Sequence, residues 1–462
     1  MRALALFGLF TVSTVCSFAA SAADVASPQS YLPGVRIDQT DPRRESYYGW
    51  SISASGDSVL IGMPYEFTGV TLTPGAAYVQ RFDGTQWSQQ AKLAASDGVN
   101  FDYFGEAVAL SGDWAAVGAP DHQSARGAVY LFQRSGGVWT QQAKLLPSDP
   151  AQGARFGAAL AFDGSTLAAA APGNSGGRGA VYLFTLSGGT WTQSQRIAAA
   201  DAAANDRFGQ AVAIDGDTLV VGAPGKTDSV SGQGVAYAYL RSGSSWTQQA
   251  RWSRAGAQAG EGFGSSVAVS GNLAAAASPY APAVSGFGGG VVQTFLRSGA
   301  SWAPAGTLRS SAGSDTAQFG YALSLRGPRL LVGLAGDTID ENLFQGSLEA
   351  YLFEDGSWSL SQRMLASDGE QEAQLGFSVS QSADFAVSGA PGASNGAATY
   401  AGAAYAFENR STNLQFTQLP GVPVRIGEAY AVGVAISASS GTPGGDVLIR
   451  DDQGNSCSAT LS

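Results

Sequence analysis

Residues 104–120 read FGEAVALSGDWAAVGAP, and residues 208–224 repeat the phrase as FGQAVAIDGDTLVVGAP. Each opens on an aromatic–glycine pair and turns at Ser111-Gly112-Asp113 or Asp215-Gly216-Asp217, with a short apolar run on either side. Apolar runs hinged at such a turn read as two antiparallel strands. Outward from Phe104, Gly105 and Pro120, the same marks recur at Phe156, Gly157 and Pro172, and at Phe208, Gly209 and Pro224. They return at Tyr48-Gly49 with Pro64, Phe263-Gly264 with Pro279, Phe319-Gly320 with Ala335, and, degenerately, Leu375-Gly376 with Pro391. Successive glycines lie 56, 52, 52, 55, 56 and 56 residues apart. A bulky apolar residue stands twelve before each: Ile37, Leu93, Leu145, Ile197, Trp252, Leu308 and Met364. Three marks in constant register over seven copies make an internal repeat.

Each copy holds two further strands. Gly127-Ala128-Val129-Tyr130-Leu131-Phe132 is a third, and Trp139 to Leu145 is a fourth. The fourth alternates, with Trp139, Gln141, Ala143 and Leu145 on one side and Thr140, Gln142 and Lys144 on the other, as an outer strand does. The first two strands are nearly all small or apolar, which suits inner strands covered on both faces. Four short strands per copy, seven times, predict an all-β fold: a seven-bladed β-propeller of four-stranded blades. The seventh copy stops at Tyr405-Ala406-Phe407, before any fourth strand, while Val35-Arg36-Ile37 is a fourth strand without its own first three. The N-terminal strand is therefore expected to complete the last blade.

Composition narrows the function. The chain has 462 residues, with 25 Lys and Arg against 36 Asp and Glu, a net charge of −11. An acidic chain with no basic run offers no footprint for nucleic acid or an anionic membrane. The start reads as a secretory signal over residues 1–22: Arg2, an apolar stretch from Ala3 to about Val15, then Ala20-Ser21-Ala22 as a cleavage site. That stretch is too short to span a membrane, and Val15 before Cys16 makes a poor lipid-attachment motif. A secreted or cell-surface location is expected. The mature chain would hold one cysteine, Cys457, so neither a disulfide framework nor a cysteine-based metal site is expected.

Phe104-Gly105 with Gly118-Ala119-Pro120, and Phe208-Gly209 with Gly222-Ala223-Pro224, resemble FG-GAP repeats, the units of the seven-bladed propeller at the head of integrin α subunits. The closer likeness is to the short, tryptophan-bearing variety of exported bacterial proteins, and it covers roughly residues 31–408. The departures are Gly62-Met63-Pro64, Ala170-Ala171-Pro172, Ala277-Ser278-Pro279 and Gly333-Leu334-Ala335. The resemblance implies adhesion or extracellular recognition of a protein or glycan. Integrin-type repeats carry calcium loops between the first and second strands. Calcium needs six to eight oxygen ligands, whereas turns such as Ser111-Gly112-Asp113, Asp163-Gly164-Ser165 and Ser270-Gly271-Asn272 are tight hairpins with at most two acids. No calcium site, other metal or cofactor is expected.

The variable loops join the second and third strands. On them, Tyr65, Phe67, His122, Tyr280, Phe287, Asp337, Asp340, Glu341 and Tyr400 are the candidate contacts for a partner, since aromatics beside acids suit sugar or protein surfaces. The alternative is that they pack and solvate the loops. Asp41, Asp97, Asp149, Asp201 and Asp368 stand four residues after the apolar mark, either as an acidic rim or, as the repetition favours, bonded to local backbone amides. Two G-x-S-x-G matches, Gly173 to Gly177 and Gly392 to Gly396, lie in glycine-rich loops, and His122 is the single histidine. A non-catalytic protein is expected. The alternatives are a secreted polysaccharide hydrolase or lyase, whose mark would be two carboxylates, or Tyr with Arg, converging in one pocket, and a structural spacer. Beyond Phe407, residues 409–462 resemble the opening of a bacterial Ig-like repeat, a partial β-sandwich-like tail of a longer protein.

Overall fold

The computed structural model describes residues 10–16, 30–66, 73–284, 289–410, 412–418, 430–438, 445–450 and 456–461. Two compact units emerge, Pro33–Phe407 and a second made of Met1–Leu32 with Glu408–Ser462. In the first unit each repeat folds as a four-stranded antiparallel blade. In blade 2 the strands are Val108–Ser111, Trp114–Ala119, Ala128–Ser135 and Val138–Leu145, hydrogen-bonded in chain order. Six blades follow this plan. The seventh holds Ser378–Gln381, Phe385–Ala390 and Ala403–Arg410, and its outer strand is Val35–Ile37, with Val35 opposite Ala406 and Ile37 opposite Ala404. The expected closure is present.

The first strands of neighbouring blades contact one another right round the ring, with Ser378–Gln381 against Ser51–Ser55 at the join. Side chains tie them: Ala54 N donates to Ser380 Oγ (2.9 Å) and Leu110 N to Ser53 Oγ (3.0 Å). One expectation is corrected here. Val108–Ser111 and Ser266–Ser270 keep the expected burial, and the second strands are buried along all or nearly all of their length, but Ser51–Ser55, Ala159–Phe162 and Ala211–Asp215 are half-exposed. As the innermost layer, they have no further sheet to cover them. The alternation of Trp139 to Leu145 holds, with Trp139 and Leu145 buried.

The repeat marks are packing devices. Phe104, Phe156, Phe208, Phe263 and Phe319 are fully buried, each worth about 2–3 kcal/mol of apolar transfer. Phe104, Phe156 and Phe208 meet the third-strand Tyr130, Tyr182 and Tyr237 edge-on at 5.4–5.6 Å. A fourth mark escaped the reading of the sequence. The glycine opening each third strand (Gly75, Gly127, Gly179, Gly234, Gly290, Gly346, Gly402) bridges the aromatic mark of the next blade, Gly402 reaching round to Tyr48.

The Asp residues after the apolar marks reach beyond the local backbone amides expected of them: the own amides of Asp201 and Asp368 contribute, but the main partners are side chains. Asp97 accepts from Tyr130 OH (2.7 Å) and Lys144 Nζ (2.6 Å), Asp149 from Tyr182 OH (2.5 Å) and Arg196 Nε (3.1 Å), and Asp201 from Tyr237 OH (2.8 Å) and Arg251 Nε (3.1 Å). Asp368 takes Arg36 Nη1 at 2.8 Å, and Asp41 pairs with Arg43. Each of the first three leaves one blade and pins the outer strands of the next. The hydrogen bond from Lys144 holds the Asp97 carboxyl below the usual range, against partial burial, with Tyr130 adding to the effect. A depressed carboxyl stabilises the fold above its unfolded value and loses that contribution as pH falls through the folded one. Asp97→Asn is therefore expected to cost about 1 kcal/mol near neutrality. Urea denaturation should show the gap narrow as pH falls below the ordinary carboxylate range; a gap unchanged by acid would remove the carboxylate from the explanation.

On the opposite rim, the acids of the first-to-second turns are used by arginines. Asp57 pairs with Arg81, Asp113 with Arg134 and Asp217 with Arg241 at 2.7–2.9 Å. Arg134 and Arg241 lie over Trp139 and Trp246.

The second unit contains a three-stranded antiparallel sheet, Phe10–Cys16 beside Tyr430–Ala438 beside Thr412–Gln418, and a hairpin of Gly445–Arg450 with Ser456–Leu461. A β-rich tail was expected over residues 409–462. The participation of Phe10–Cys16, inside the segment read as a leader, was not.

Candidate functional site

Each aromatic mark is preceded by a residue in the left-handed region: Tyr47, Tyr103, Arg155, Arg207, Gly262, Gln318 and Gln374, with φ from 53 to 64°. Only one of the seven is glycine, so six accept a strained backbone. In every blade this residue's carbonyl accepts the amide of the residue after the marked glycine, from Trp50 to Tyr47 (3.1 Å) through Phe377 to Gln374 (3.1 Å). The result is a tight turn at the head of each innermost strand. Seven such turns crown one mouth of the ring, and the residues flanking them are free to differ.

They differ by sector. Blades 6, 7, 1 and 2 supply rings in one continuous path. Tyr321 meets Phe377 (5.0 Å), Phe377 meets Trp50 (4.7 Å), Trp50 meets Tyr65 (5.1 Å), and Tyr65 meets Tyr103 (5.0 Å). Tyr47 joins Trp50 and Tyr65 and carries Tyr400 stacked on it at 6.0 Å. Burial pushes the Tyr65 hydroxyl up to about 12, with Glu106 adding to it.

Next to the aromatic path stands a polar cluster. Arg155 Nη2 donates to both oxygens of Glu106, at 2.8 and 2.6 Å, and its Nε lies 3.0 Å from Asp121 Oδ1. That second contact is too bent for a hydrogen bond, and both atoms are buried. Burial lifts the Glu106 carboxyl to about 7; Arg155 works against the rise and Asp121 adds to it. A carboxyl raised in the fold favours folding below its unfolded value near 4.5, and that contribution is lost as pH rises through the folded value. Going from about pH 5 to about pH 8 should therefore destabilise the wild type relative to Glu106→Gln, on the order of 1–3 kcal/mol. Denaturant titrations of both proteins at the two pH values measure it. A pH-independent difference would deny Glu106 that environment.

The remaining sector is open. A pocket of about 420 Å³ has Arg207, Gln210, Gly262, Ser265, Tyr280 and Tyr321 in its lining.

The candidate contacts divide accordingly. Tyr65 and Tyr400 stand on the aromatic path, and Tyr280 lines the pocket with 56% of its surface exposed. His122 is a correction: it is 3% exposed, held by Asp102 at Nδ1 (2.8 Å) and Lys144 at Nε2 (2.8 Å), and braces its loop instead of meeting a partner. Asp337 is likewise buried, accepting from Ser347 Oγ (2.5 Å), Ser314 N (2.9 Å) and Arg363. Asp340 and Glu341 are exposed but lie off the aromatic path. Phe67 and Phe287 lie outside the described residues. Ser175 of the first G-x-S-x-G match donates to Asn174, which bonds Tyr182, so it fixes a turn.

Reading by loop missed Tyr47, Trp50, Tyr103, Tyr321 and Phe377, as well as Glu106, Arg155 and Arg207. The signal was available: these are the positions immediately before and two after the aromatic mark, where a constant frame carries changing residues.

Among known protein families, the FG-GAP repeat model matches residues 87–132, 139–184, 191–239 and 358–407. Each match starts at a fourth-strand Trp and ends in the third strand of the next blade, so the sequence repeat is offset from the blade by one strand. No curated protein matches the chain.

Proposed function

Because this chain is a propeller of FG-GAP repeats, a ligand-binding scaffold, we propose that it is an exported recognition module that binds carbohydrate at the ring mouth without transforming it. The observation that carries this reading is the unbroken aromatic path Tyr321–Phe377–Trp50–Tyr65–Tyr103. Half-buried rings held by their neighbours offer apolar faces without losing side-chain freedom on binding, which suits the CH faces of sugars. Export rests on Arg2, the apolar stretch and Ala20-Ser21-Ala22. No resident metal is proposed: among the described residues, no three His, Cys, Asp or Glu converge as a site.

The test is direct binding to a panel of polysaccharides, with released products read from the same wells. Saturable binding that falls at least tenfold in Trp50→Ala and Tyr65→Ala, with folding retained, supports the reading. Silence across the panel sinks it and favours a spacer.

A second reading has its own observation. Glu106 with Asp121, Arg155 and Tyr65 is a carboxylate pair with Arg and Tyr, the mark of a hydrolase or lyase, and a carboxyl near 7 suits a general acid. Product release that Glu106→Gln abolishes would replace recognition by catalysis.

A further inference from the structure

Arg155 and Arg207 are the same residue of the repeat in successive blades, with the same left-handed turn (φ 56 and 57°). Arg155 reaches back to Glu106 and Asp121 of the preceding blade. At the two positions that correspond for Arg207, the chain has Ala158 and Gly173. The adjacent acid, Asp206, and its counterpart in the next blade, Glu261, are buried and engaged elsewhere: Asp206 holds Lys226 Nζ (3.0 Å) and Ala203 N (2.6 Å), and Glu261 holds Arg254 Nε (2.6 Å) and Gln258 N (2.8 Å). Among the described residues Arg207 has no carboxylate in salt-bridge range. It is an exposed guanidinium on the wall of a pocket.

That pocket exists because blade 5 departs from the pattern. Where other blades carry Tyr47, Tyr103, Arg155 or Gln318, it has Gly262; where they carry Trp50, Glu106, Tyr321 or Phe377, it has Ser265. A β-carbon on Gly262 would fall 2.9 Å from Ser265 Oγ and 3.6 Å from Tyr280. The volume of about 420 Å³ lies in the usual range for small-ligand sites, roughly 300–1,000 Å³. Its walls offer the Arg207 fork, the Gln210 amide, Ser265 and the exposed ring of Tyr280.

We propose that this pocket is a subsite for a carboxylate-bearing sugar, a uronate residue of a glycan, with the carboxylate on Arg207 and the sugar face against Tyr280. Arg pairs a carboxylate through two parallel N–H bonds, and one residue of this class presents both that carboxylate and an apolar ring face. An acidic peptide offers the charge without the flat face. This deepens the carbohydrate reading and rests on it. The net charge of −11 repels long polyanions, so short oligomers are the suitable probes.

The full chain is titrated calorimetrically with trimers of galacturonate, glucuronate and mannuronate, with their methyl esters, with the corresponding neutral trimers, and with an aspartate-containing tripeptide. At least one uronate trimer should bind at least tenfold more tightly than its ester. Arg207→Gln should erase that preference with the melting temperature unchanged. Ser265→Phe, which copies blade 7 and fills the pocket without touching the charge, should abolish uronate binding. Equal binding of acid and ester, no uronate binding, indifference to Arg207→Gln, or selection of the peptide over every uronate would each overturn the proposal. If neutral trimers bind through Trp50 while Arg207→Gln changes nothing, the subsite fails and the mouth as a carbohydrate site stands.

Discussion

Gly118→Val is expected to leave no folded propeller. A β-carbon on Gly118 would stand 2.0 Å from the carbonyl oxygen of Gly157 in the next blade, where no side chain can yield. Its φ is not left-handed, so the demand is for close approach and not for conformational freedom. The same contact recurs at Gly62 on Gly105, Gly222 on Gly264, Gly333 on Gly376, and Gly389 on Gly49, at 1.9–2.1 Å. Blades 3 and 5 have Ala170 and Ala277 there instead, so those two seams already hold a methyl group: a β-carbon on Gly209 would lie 3.0 Å from that of Ala170, and one on Gly320 2.6 Å from that of Ala277. Gly118→Ala should therefore cost about 2–4 kcal/mol, since one seam of a closed ring must widen while six hold their spacing. Gly118→Val, with a larger branched group, should exceed about 5 kcal/mol and yield insoluble chain. Ala170→Gly should cost only about 1 kcal/mol. Denaturant midpoints rank Gly118→Ala against Ala170→Gly, the soluble fraction on expression reads Gly118→Val, and a Gly118→Ala protein as stable as wild type would refute the seam account.

Removing residues 1–38 is expected to have the second-largest effect. It deletes the outer strand of blade 7, uncovers the backbone of Ala404–Ala406, and takes away Ile37, which is buried. It also removes Arg36, which bonds Asp38 (2.9 Å), Asp368 (2.8 Å) and the Ser394 carbonyl (2.6 Å). An uncovered edge beside a half-covered blade invites association between chains. The expected result is a melting temperature lower by about 10 °C or more and aggregation on size exclusion. A cut after residue 29 keeps the strand and separates its loss from that of residues 1–29. Equal melting of the two truncated proteins would show that closure through Val35–Ile37 adds little.

Most of the architecture was legible because a propeller writes it seven times. Register, strand count and the incomplete seventh copy could all be taken from Tyr48-Gly49 through Leu375-Gly376, and the orphan Val35-Arg36-Ile37 located the closing strand. The site was harder. His122 and Asp337 have the composition of surface contacts but are buried, because a loop residue's exposure depends on what the next blade lays over it. The Asp residues after the apolar marks were correctly suspected of a structural role, but their partners, Tyr130 and Lys144 for Asp97, belong to another strand pair and carry no local signature.

What the sequence determined by itself is the repeat, its strands and the closure, since these follow from local periodicity and turn chemistry repeated in register. Only the tertiary structure decided which side chains meet. Tyr321, Phe377, Trp50, Tyr65 and Tyr103 come from four blades and become one surface because the ring brings the heads of their innermost strands together, with Tyr65 reaching in from the end of a second strand. Arg155 and Arg207 occupy one repeat position and differ in charge balance because one faces Glu106 and Asp121 and the other faces Ala158 and Gly173. Distances across the ring, unlike spacings along the chain, are set by the curvature at which seven packed sheets close.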